Sequence, residues 1–112
     1  MIIYIDIDET ICETPSSRDY SLAIPLLDRI KKFNKLYDDG HIIIYWTARG
    51  TVSKIDFSEL TAKQLKEWGV KFDEIKFGKP AFDILIDDKA LNSLYHLDDL
   101  SKLVTEKSLV RK

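Results

Sequence analysis

The stretch Ile2-Ile3-Tyr4-Ile5-Asp6-Ile7-Asp8-Glu9-Thr10, at residues 2–10, sets the expectation for the fold of this chain. Its first four residues form a continuous apolar run that ends at a carboxylate, and Ile42-Ile43-Ile44-Tyr45-Trp46, at 42–46, is a second such run that ends at Thr47. Apolar runs of this kind are typical of parallel strands that are buried on both faces. A shorter run at 83–86 and a weaker, alternating one at 74–77, which suits an edge position, complete the predicted strands.

Helical periodicity fills the intervals between these strands. From residue 24 onward, apolar residues recur at intervals of three and four, which predicts a helix with Pro25 in its first turn and Gly40 just after its end. A second helix should run from about 58 to 68, and a third should begin near Asp98. The third helix should turn Leu100, Leu103 and Val104 toward the core. Alternating strands and helices predict a doubly wound α/β fold, a parallel sheet with helices on both faces, as one domain over residues 1–112.

Composition and charge exclude several classes of protein. Of the 112 residues, 45% are hydrophobic and 32% are charged, which is typical of a globular chain. Seventeen basic and 19 acidic residues leave a net charge of −2, so nucleic acid is not the expected partner. The first residues show no positively charged leader, and no apolar run approaches the ~20 residues that span a bilayer. We therefore expect a small soluble domain of the cytoplasm that has no membrane partner.

Charged and hydroxyl side chains stand where the predicted strands end. Ligands of doubly wound sheets bind outside the carboxyl ends of the strands, so these side chains should lie together. Four carboxylates in one place repel each other unless a divalent cation compensates them, and oxygen ligands favour Mg²⁺ over zinc. The residues concerned are Asp6, Asp8 and Thr10 after the first strand, then Thr47, Lys79, Asp87 and Asp88.

Such a set can perform phosphoryl transfer, which depends mainly on positioning and on neutralising negative charge. One carboxylate can act as the nucleophile and form an aspartyl phosphate. A second can protonate the leaving oxygen and then activate water. If strand geometry persists through Asp8, a spacing of two along the chain would put Asp6 and Asp8 on the same side of the backbone.

The order of these motifs resembles that of the haloacid dehalogenase superfamily. Asp6-x-Asp8-x-Thr10, then Thr47, then Lys79, then an apolar run ending in Asp87-Asp88, covers roughly residues 1 to 92. Three segments are also similar to the small phosphatases linked to bacterial capsule biosynthesis, namely 46–50, 73–80 and 86–89. The resemblance implies a Mg²⁺-dependent phosphomonoesterase. Its implied substrate is a small phosphorylated metabolite, similar to a sugar or polyol phosphate, in the biosynthesis of capsule or surface polysaccharide.

The resemblance also implies a role for each matching residue. Asp6 would be the nucleophile and a metal ligand, while Asp8 would be the general acid and base and would offer Mg²⁺ its backbone carbonyl. Asp87 would bind the metal directly, and Asp88 would do so directly or through water. The remaining positions would serve the phosphoryl group: Thr47 and the amide of Ala48 would hold its oxygens, Lys79 would neutralise it, and Thr10 would brace the loop. Arg49 is a candidate substrate contact, because a guanidinium suits phosphate.

The chain departs from the superfamily's pattern in two respects. Glu9 stands where many relatives have glycine, which adds charge at the mouth of the site. The flap at 12–21 and the loop at 50–57 are too short to build a cap domain, so we expect an open site. An open site must tolerate bulky substrates or borrow a cover from a neighbouring subunit, and we expect a homo-oligomer.

Other functions fit the sequence less well. Gly78-Lys79 is not the end of a P-loop, because Asp73 and Pro80 stand where that motif needs glycine and a hydroxyl residue. A receiver domain that is phosphorylated on aspartate has a similar sheet, but its acceptor would follow a middle strand, where Thr47 stands. Four other residues are assigned ordinary roles: Arg18 at the surface, Cys12 as an inert buried thiol, and His41 and His96 as structural or surface groups.

Overall fold

A computed structural model describes residues 1–94 and 97–110 of the chain, so His96 lies outside the described residues. The elements are β1 (Ile2–Ile5), β2 (Cys12–Glu13), a 3₁₀ turn (Tyr20–Leu22), β3 (Ile24–Pro25), α1 (Leu27–Asp38), β4 (Ile42–Trp46), α2 (Ser58–Glu67), β5 (Glu74–Lys76) and α3 (Leu100–Val110). The arrangement is a small α/β fold, as the alternating pattern predicts.

The main sheet has three parallel strands in the order β1-β4-β5. β4 is central because its run of three isoleucines followed by two aromatic residues can be buried on both faces. Ile5 lies opposite Tyr45, and Tyr45 lies opposite Ile75, so the carboxyl ends of the three strands meet at one edge. The predicted strands at 2–5 and 42–46 are confirmed, and β5 takes the predicted edge position. The predicted burial on both faces is wrong for β1, whose Ile2 and Tyr4 are exposed.

The helices confirm most of the predicted periodicity. α1 ends just before Gly40, and α2 ends just before Gly69, and each glycine has a positive φ. α3 begins near the predicted position, and its Leu100 and Val104 join the core, whereas Leu103 is only half-buried and is not a core residue.

The predicted start of the first helix is wrong. Pro25 does not lie in a helical turn but pairs with Cys12 in the antiparallel β2–β3 ribbon. The amide of Leu26 donates to the carbonyl of Ile11, and α1 begins only at Leu27. The ribbon takes the backbone groups that a longer helix would need, and it fixes both ends of the flap.

The predicted strand at 83–86 is absent from the structure. The segment 80–90 is exposed throughout, with Ile84 and Ile86 showing 79% and 95% of their surface to solvent. Only three apolar residues favour a strand here, and a strand forms only where a neighbouring edge pairs with it. Among the described residues, the second edge of β1 therefore has no paired strand.

The core lies between the sheet and the helices α1 and α3. α1 packs against both α3 and β4, and the buried side chains form one cluster. Its members are Ile5, Ile7, Ile11, Cys12, Ile30, Phe33, Leu36, Ile43, Tyr45, Leu65, Val70, Leu100 and Val104. Within the described ranges, no helix has the length and apolar character needed to cross a bilayer.

Candidate active site

Asp6 follows β1 and carries a carboxylate that is two-thirds buried. Lys79 Nζ donates to Asp6 Oδ1 at 3.2 Å, and Thr10 Oγ1 donates to Asp6 Oδ2 at 3.2 Å. Both carboxylate oxygens therefore have a donor, one of them cationic. The structure brings together these three residues, as the strand-end pattern predicts.

The loop after β1 is held by its own backbone and by one arginine. The amides of Thr10 and Ile11 both donate to the carbonyl of Ile7, which closes a tight turn. Arg29 Nη1 donates to the carbonyls of Glu9 and Thr10 at 3.1 and 3.2 Å. The turn fixes the direction of the Asp6 and Thr10 side chains.

Lys79 is positioned by two neighbouring elements. Its amide donates to the carbonyl of Thr47 at 3.1 Å, and its carbonyl accepts the hydroxyl of Thr51 at 2.8 Å. Its ammonium lies 5.7 Å from the centre of the Trp46 ring and 5.5 Å from that of Phe82. These aromatic faces stabilise the cation while it points toward Asp6.

Thr47 follows the central strand and is almost completely buried. Its Oγ1 accepts the amide of Arg49 at 3.1 Å, which leaves the hydroxyl proton available to another acceptor. Ala48 is partly exposed beside it. Thr47 and Ala48 thus occupy the expected edge of the sheet, at the end of the strand next to β1.

Asp8 lies deeper than Asp6 and binds a buried arginine. Arg49 Nε donates to Asp8 Oδ2 at 3.0 Å, and Nη2 donates to Asp8 Oδ1 at 2.9 Å. The hydroxyl of Thr14 and the thiol of Cys12 also donate to Oδ1. Burial works against ionisation of Asp8, but the bonds from Arg49 and Thr14 outweigh it and hold the pKa of this carboxyl below its ordinary value.

Arg49 does not lie where a substrate contact is expected, at the surface of the site. Its side chain is fully buried, and only 3% of the whole residue is accessible. Its next neighbour, Gly50, has a φ of 83°, and a Cβ there would overlap the carbonyl oxygen of Ile55. Only glycine fits this position, and the resulting turn directs the Arg49 side chain into the protein.

Glu9 also has a structural role that the sequence did not indicate. Its φ of 63° lies in the left-handed region, which explains why glycine would suit this position. Glu9 Oε1 accepts from Arg18 at 2.7 Å, and Oε2 accepts the amide of Thr14 at 3.1 Å. The Glu9 carboxylate thus holds the flap, and Arg18 is its partner at the surface.

Cys12 is fully buried beside Asp8, in keeping with its expected inert role. Burial raises the pKa of the Cys12 thiol to about 11, so the thiol stays protonated at neutral pH. It is therefore not a nucleophile in this arrangement.

The expected metal ligands come together only in part. Asp6 and Asp87 line the same cavity, of about 470 Å³, together with Thr10 and Lys79. Asp87 is exposed, and its Oδ1 accepts the amide of Lys89 at 2.9 Å. In the part of the chain that the structure describes, no three acidic, histidine or cysteine residues are grouped closely enough to hold a metal ion. The oxygen donors suit Mg²⁺ in kind, but their positions do not form a site for it.

Comparison with known proteins supports the fold. A crystal structure of a Vibrio cholerae protein, described as an MCSG target, resembles this chain with a TM-score of 0.76 and 25% sequence identity. The alignment covers 95% of this chain and 98% of that protein. No family model matches the chain, and no curated protein matches it.

Proposed function

We propose that this chain is a phosphomonoesterase that acts through an aspartyl phosphate on Asp6. The observation that carries the proposal is the grouping of Asp6 with Lys79 and Thr10 at the carboxyl edge of the sheet, with a second carboxylate two residues further on. The ammonium of Lys79 would offset the charge of an incoming phosphoryl group. Thr47, at the end of the adjacent strand, would donate its hydroxyl proton to a phosphoryl oxygen.

The reaction has two steps on these residues. In the first, a carboxylate oxygen of Asp6 bonds to phosphorus and the bond to the leaving oxygen breaks. Asp8, which is ionised in the free protein, takes up a proton when the substrate binds and gives it to that oxygen. In the second, the Asp8 carboxylate takes a proton from water, the water oxygen bonds to phosphorus, and Asp6 leaves as a carboxylate. Inorganic phosphate is the product, and Asp8 again carries a proton.

Mg²⁺ is part of the proposal because of donor chemistry. The side chains of Asp6 and Asp87, the main-chain carbonyl of Asp8 and, directly or through water, Asp88 would hold it. When bound, Mg²⁺ would neutralise the phosphoryl oxygens and the carboxylates. This part of the proposal is supported by the hard oxygen donors and by the cavity that Asp6 and Asp87 share.

The doubly wound sheet belongs to the same proposal, because it needs a further strand beside β1. Three observations favour such a strand. One edge of β1 pairs with none of the described residues, and Ile84 and Ile86 are apolar but exposed. In addition, residues of β1 and Leu85 line the same cavity. Pairing of 83–86 with β1 would bury those side chains and carry Asp87 to the edge where Asp6 lies. We expect this pairing in the ligand-bound protein.

The proposed substrate is a small phosphorylated metabolite of the sugar or polyol phosphate type. The resemblance to capsule-biosynthesis phosphatases suggests this class and a cytoplasmic location. We expect no cap domain, because the flap is short, so the site would be open and a neighbouring subunit of a homo-oligomer would supply its cover.

Replacing each carboxylate in turn tests the proposal. With p-nitrophenyl phosphate and Mg²⁺, Asp6→Asn should stop both steps, because no aspartyl phosphate can form. Asp8→Asn should release about one equivalent of p-nitrophenol per protein and then stall. This leaving group needs little acid assistance, whereas hydrolysis still needs the base, whose loss costs about 10²–10⁴-fold. Mass spectrometry of the acid-quenched variant should find phosphate on the peptide that contains Asp6.

Asp39→Asn is the matched control, because it removes an exposed carboxylate near the opposite edge of the sheet, where its partner is Lys35. It should retain full turnover. Turnover by Asp6→Asn, or phosphate on Asp87 or Asp88, would contradict the assigned roles. A single stoichiometric labelling of the unmodified protein, without turnover, would indicate a receiver domain.

A further inference from the structure

We propose that Arg49 is a positioning residue, which fixes the orientation of the Asp8 carboxylate and couples it to the flap and to α2. This inference rests on the proposed function, because Asp8 is the group through which Arg49 would act. It replaces the expectation that Arg49 binds substrate.

The first argument is that every N–H donor of the Arg49 guanidinium already has an acceptor within the protein. A guanidinium has five N–H groups, and each has an acceptor in this structure. Nε and Nη2 bind the two oxygens of Asp8, Nη1 binds Thr61 Oγ1 at 3.2 Å and Gln64 Oε1 at 2.6 Å, and Nη2 also lies 4.0 Å from the sulfur of Cys12. A substrate phosphate would have to displace one of these partners.

The second argument is the geometry of the pair. Two parallel bonds from one planar guanidinium to both oxygens of a carboxylate fix the plane of that carboxylate, which a single point charge cannot do. The side chain of Arg49 is fully buried, and that of Asp8 is 16% exposed. Arg49 therefore holds both oxygens of Asp8 from the buried side, and a small part of the Asp8 side chain stays accessible.

The third argument is that Arg49 is itself fixed in position by residues of α2 and of the flap. Thr61 and Gln64 lie three residues apart on α2, and both are buried. Gln64 Nε2 donates to the carbonyl of Tyr20 at 2.6 Å, and the Tyr20 ring covers the guanidinium, 4.7 Å from its central carbon. The flap therefore closes over Arg49, and α2 sets its position.

A double-mutant cycle with p-nitrophenyl phosphate and Mg²⁺ tests this role. Arg49→Lys keeps the charge but loses the two-bonded geometry, so steady-state kcat should fall by about 10²-fold, the cost of a misplaced group, with KM within about twofold. In the Asp8→Asn background the same change should lower the residual rate by less than about threefold, because Arg49 acts through Asp8. Lys63→Gln, an exposed change on α2, is the control and should change neither constant.

Two outcomes would overturn the inference. One is a rise of tenfold or more in KM for Arg49→Lys, which would show direct binding of substrate. The other is an equal loss of kcat in the presence and absence of the Asp8 carboxylate. Failure of the proposed function is distinct, since the unmodified protein would then show no turnover.

A second variant keeps the test decisive if Arg49→Lys does not fold. Thr61→Val removes one support of Arg49 while leaving both bonds to Asp8, and it replaces a buried hydroxyl by a group of similar shape. It should lower kcat several-fold, and this loss too should disappear in the Asp8→Asn background. A loss of the same size in both backgrounds would refute the positioning role.

Discussion

Replacement of Tyr45 by phenylalanine should stabilise the protein. Tyr45 lies on the central strand β4 with no accessible surface, and its hydroxyl has no hydrogen-bond partner among the residues that the structure describes. A buried hydroxyl without a hydrogen-bond partner lowers the free energy of unfolding by about 1–3 kcal/mol, because it has lost its hydrogen bonds to water and has formed none in the protein. Burial also raises the pKa of the Tyr45 phenol well above its ordinary value. Tyr45→Phe removes this hydroxyl and keeps the ring.

The expected gain can be worked out from these terms. Loss of one oxygen leaves a void of about 10–15 Å³, which at about 24 cal/mol per Å³ costs about 0.3 kcal/mol. The net gain in the free energy of unfolding should therefore be about 1 kcal/mol. Unfolding entropies of about 2.1 cal/mol/K per residue give about 0.24 kcal/mol/K for 112 residues, so Tm should rise by about 4 °C.

Urea unfolding and a thermal scan measure this gain, and Tyr4→Phe is the matched control. Tyr4 is half exposed, and its hydroxyl accepts from Lys76 Nζ at 3.0 Å, so its removal should be neutral or slightly destabilising. The pH dependence gives a second measurement. Above about pH 10 the unfolded phenol loses its proton while folded Tyr45 keeps it, so the stability of the unmodified protein falls as pH rises. The advantage of Tyr45→Phe should grow there. A loss of stability in Tyr45→Phe would refute the reasoning, because it would reveal a partner for the hydroxyl.

Three further predictions follow from the flap, the thiol and the exposed run. In urea unfolding, the free energy of unfolding of Glu9→Gly should exceed that of Glu9→Ala by about 1 kcal/mol. Both variants lose the bond to Arg18, but only glycine adopts a φ of 63° without strain. Equal free energies of unfolding would contradict this. Cys12 should react with Ellman's reagent at pH 8 only as fast as the protein unfolds, since the thiol is buried and its pKa is about 11, and fast labelling of the folded protein would contradict this. Amides 84–86 should exchange hydrogen rapidly in the free protein and become protected when Mg²⁺ and inorganic phosphate are added together, whereas unchanged exchange would exclude pairing of this run with β1.

The parts of the fold that the sequence predicts are those governed by local patterns. The apolar runs at 2–5 and 42–46 both form strands, as predicted, but burial on both faces fails for β1, where Ile2 and Tyr4 are exposed because no further strand or helix of the described residues covers them. Gly40 and Gly69 mark the ends of helices because each adopts a positive φ. The predictions for Pro25 and for the run at 83–86 are wrong, because the state of Pro25 depends on pairing with Cys12, and a strand at 83–86 would need an edge that does not pair with it.

The site divides in the same way. Asp6, Thr10 and Lys79 could be placed together from sequence, since the carboxyl ends of parallel strands meet at one edge. The burial of Arg49 could not be predicted from sequence, because it depends on hydrogen bonds to Thr61 and Gln64, which lie on a helix further along the chain. One signal was available in the sequence: Thr61 and Gln64, three apart on the predicted second helix, share a face with Leu65, whose apolar side chain packs inward.

The two carboxylates of the first motif have different environments although only one residue separates them. Ile7, between them, is completely buried, and it anchors the turn that sends Asp6 toward the cavity and Asp8 toward Arg49. Asp6 keeps a third of its side-chain surface open and is bound by one lysine and one hydroxyl, which suits a group that must reach phosphorus. Asp8 is enclosed by a guanidinium, a hydroxyl and a thiol, which suits a group that moves only a proton. Spacing in the sequence predicts a pair of acids, and the fold assigns each of them a different partner, from which their different proposed roles follow.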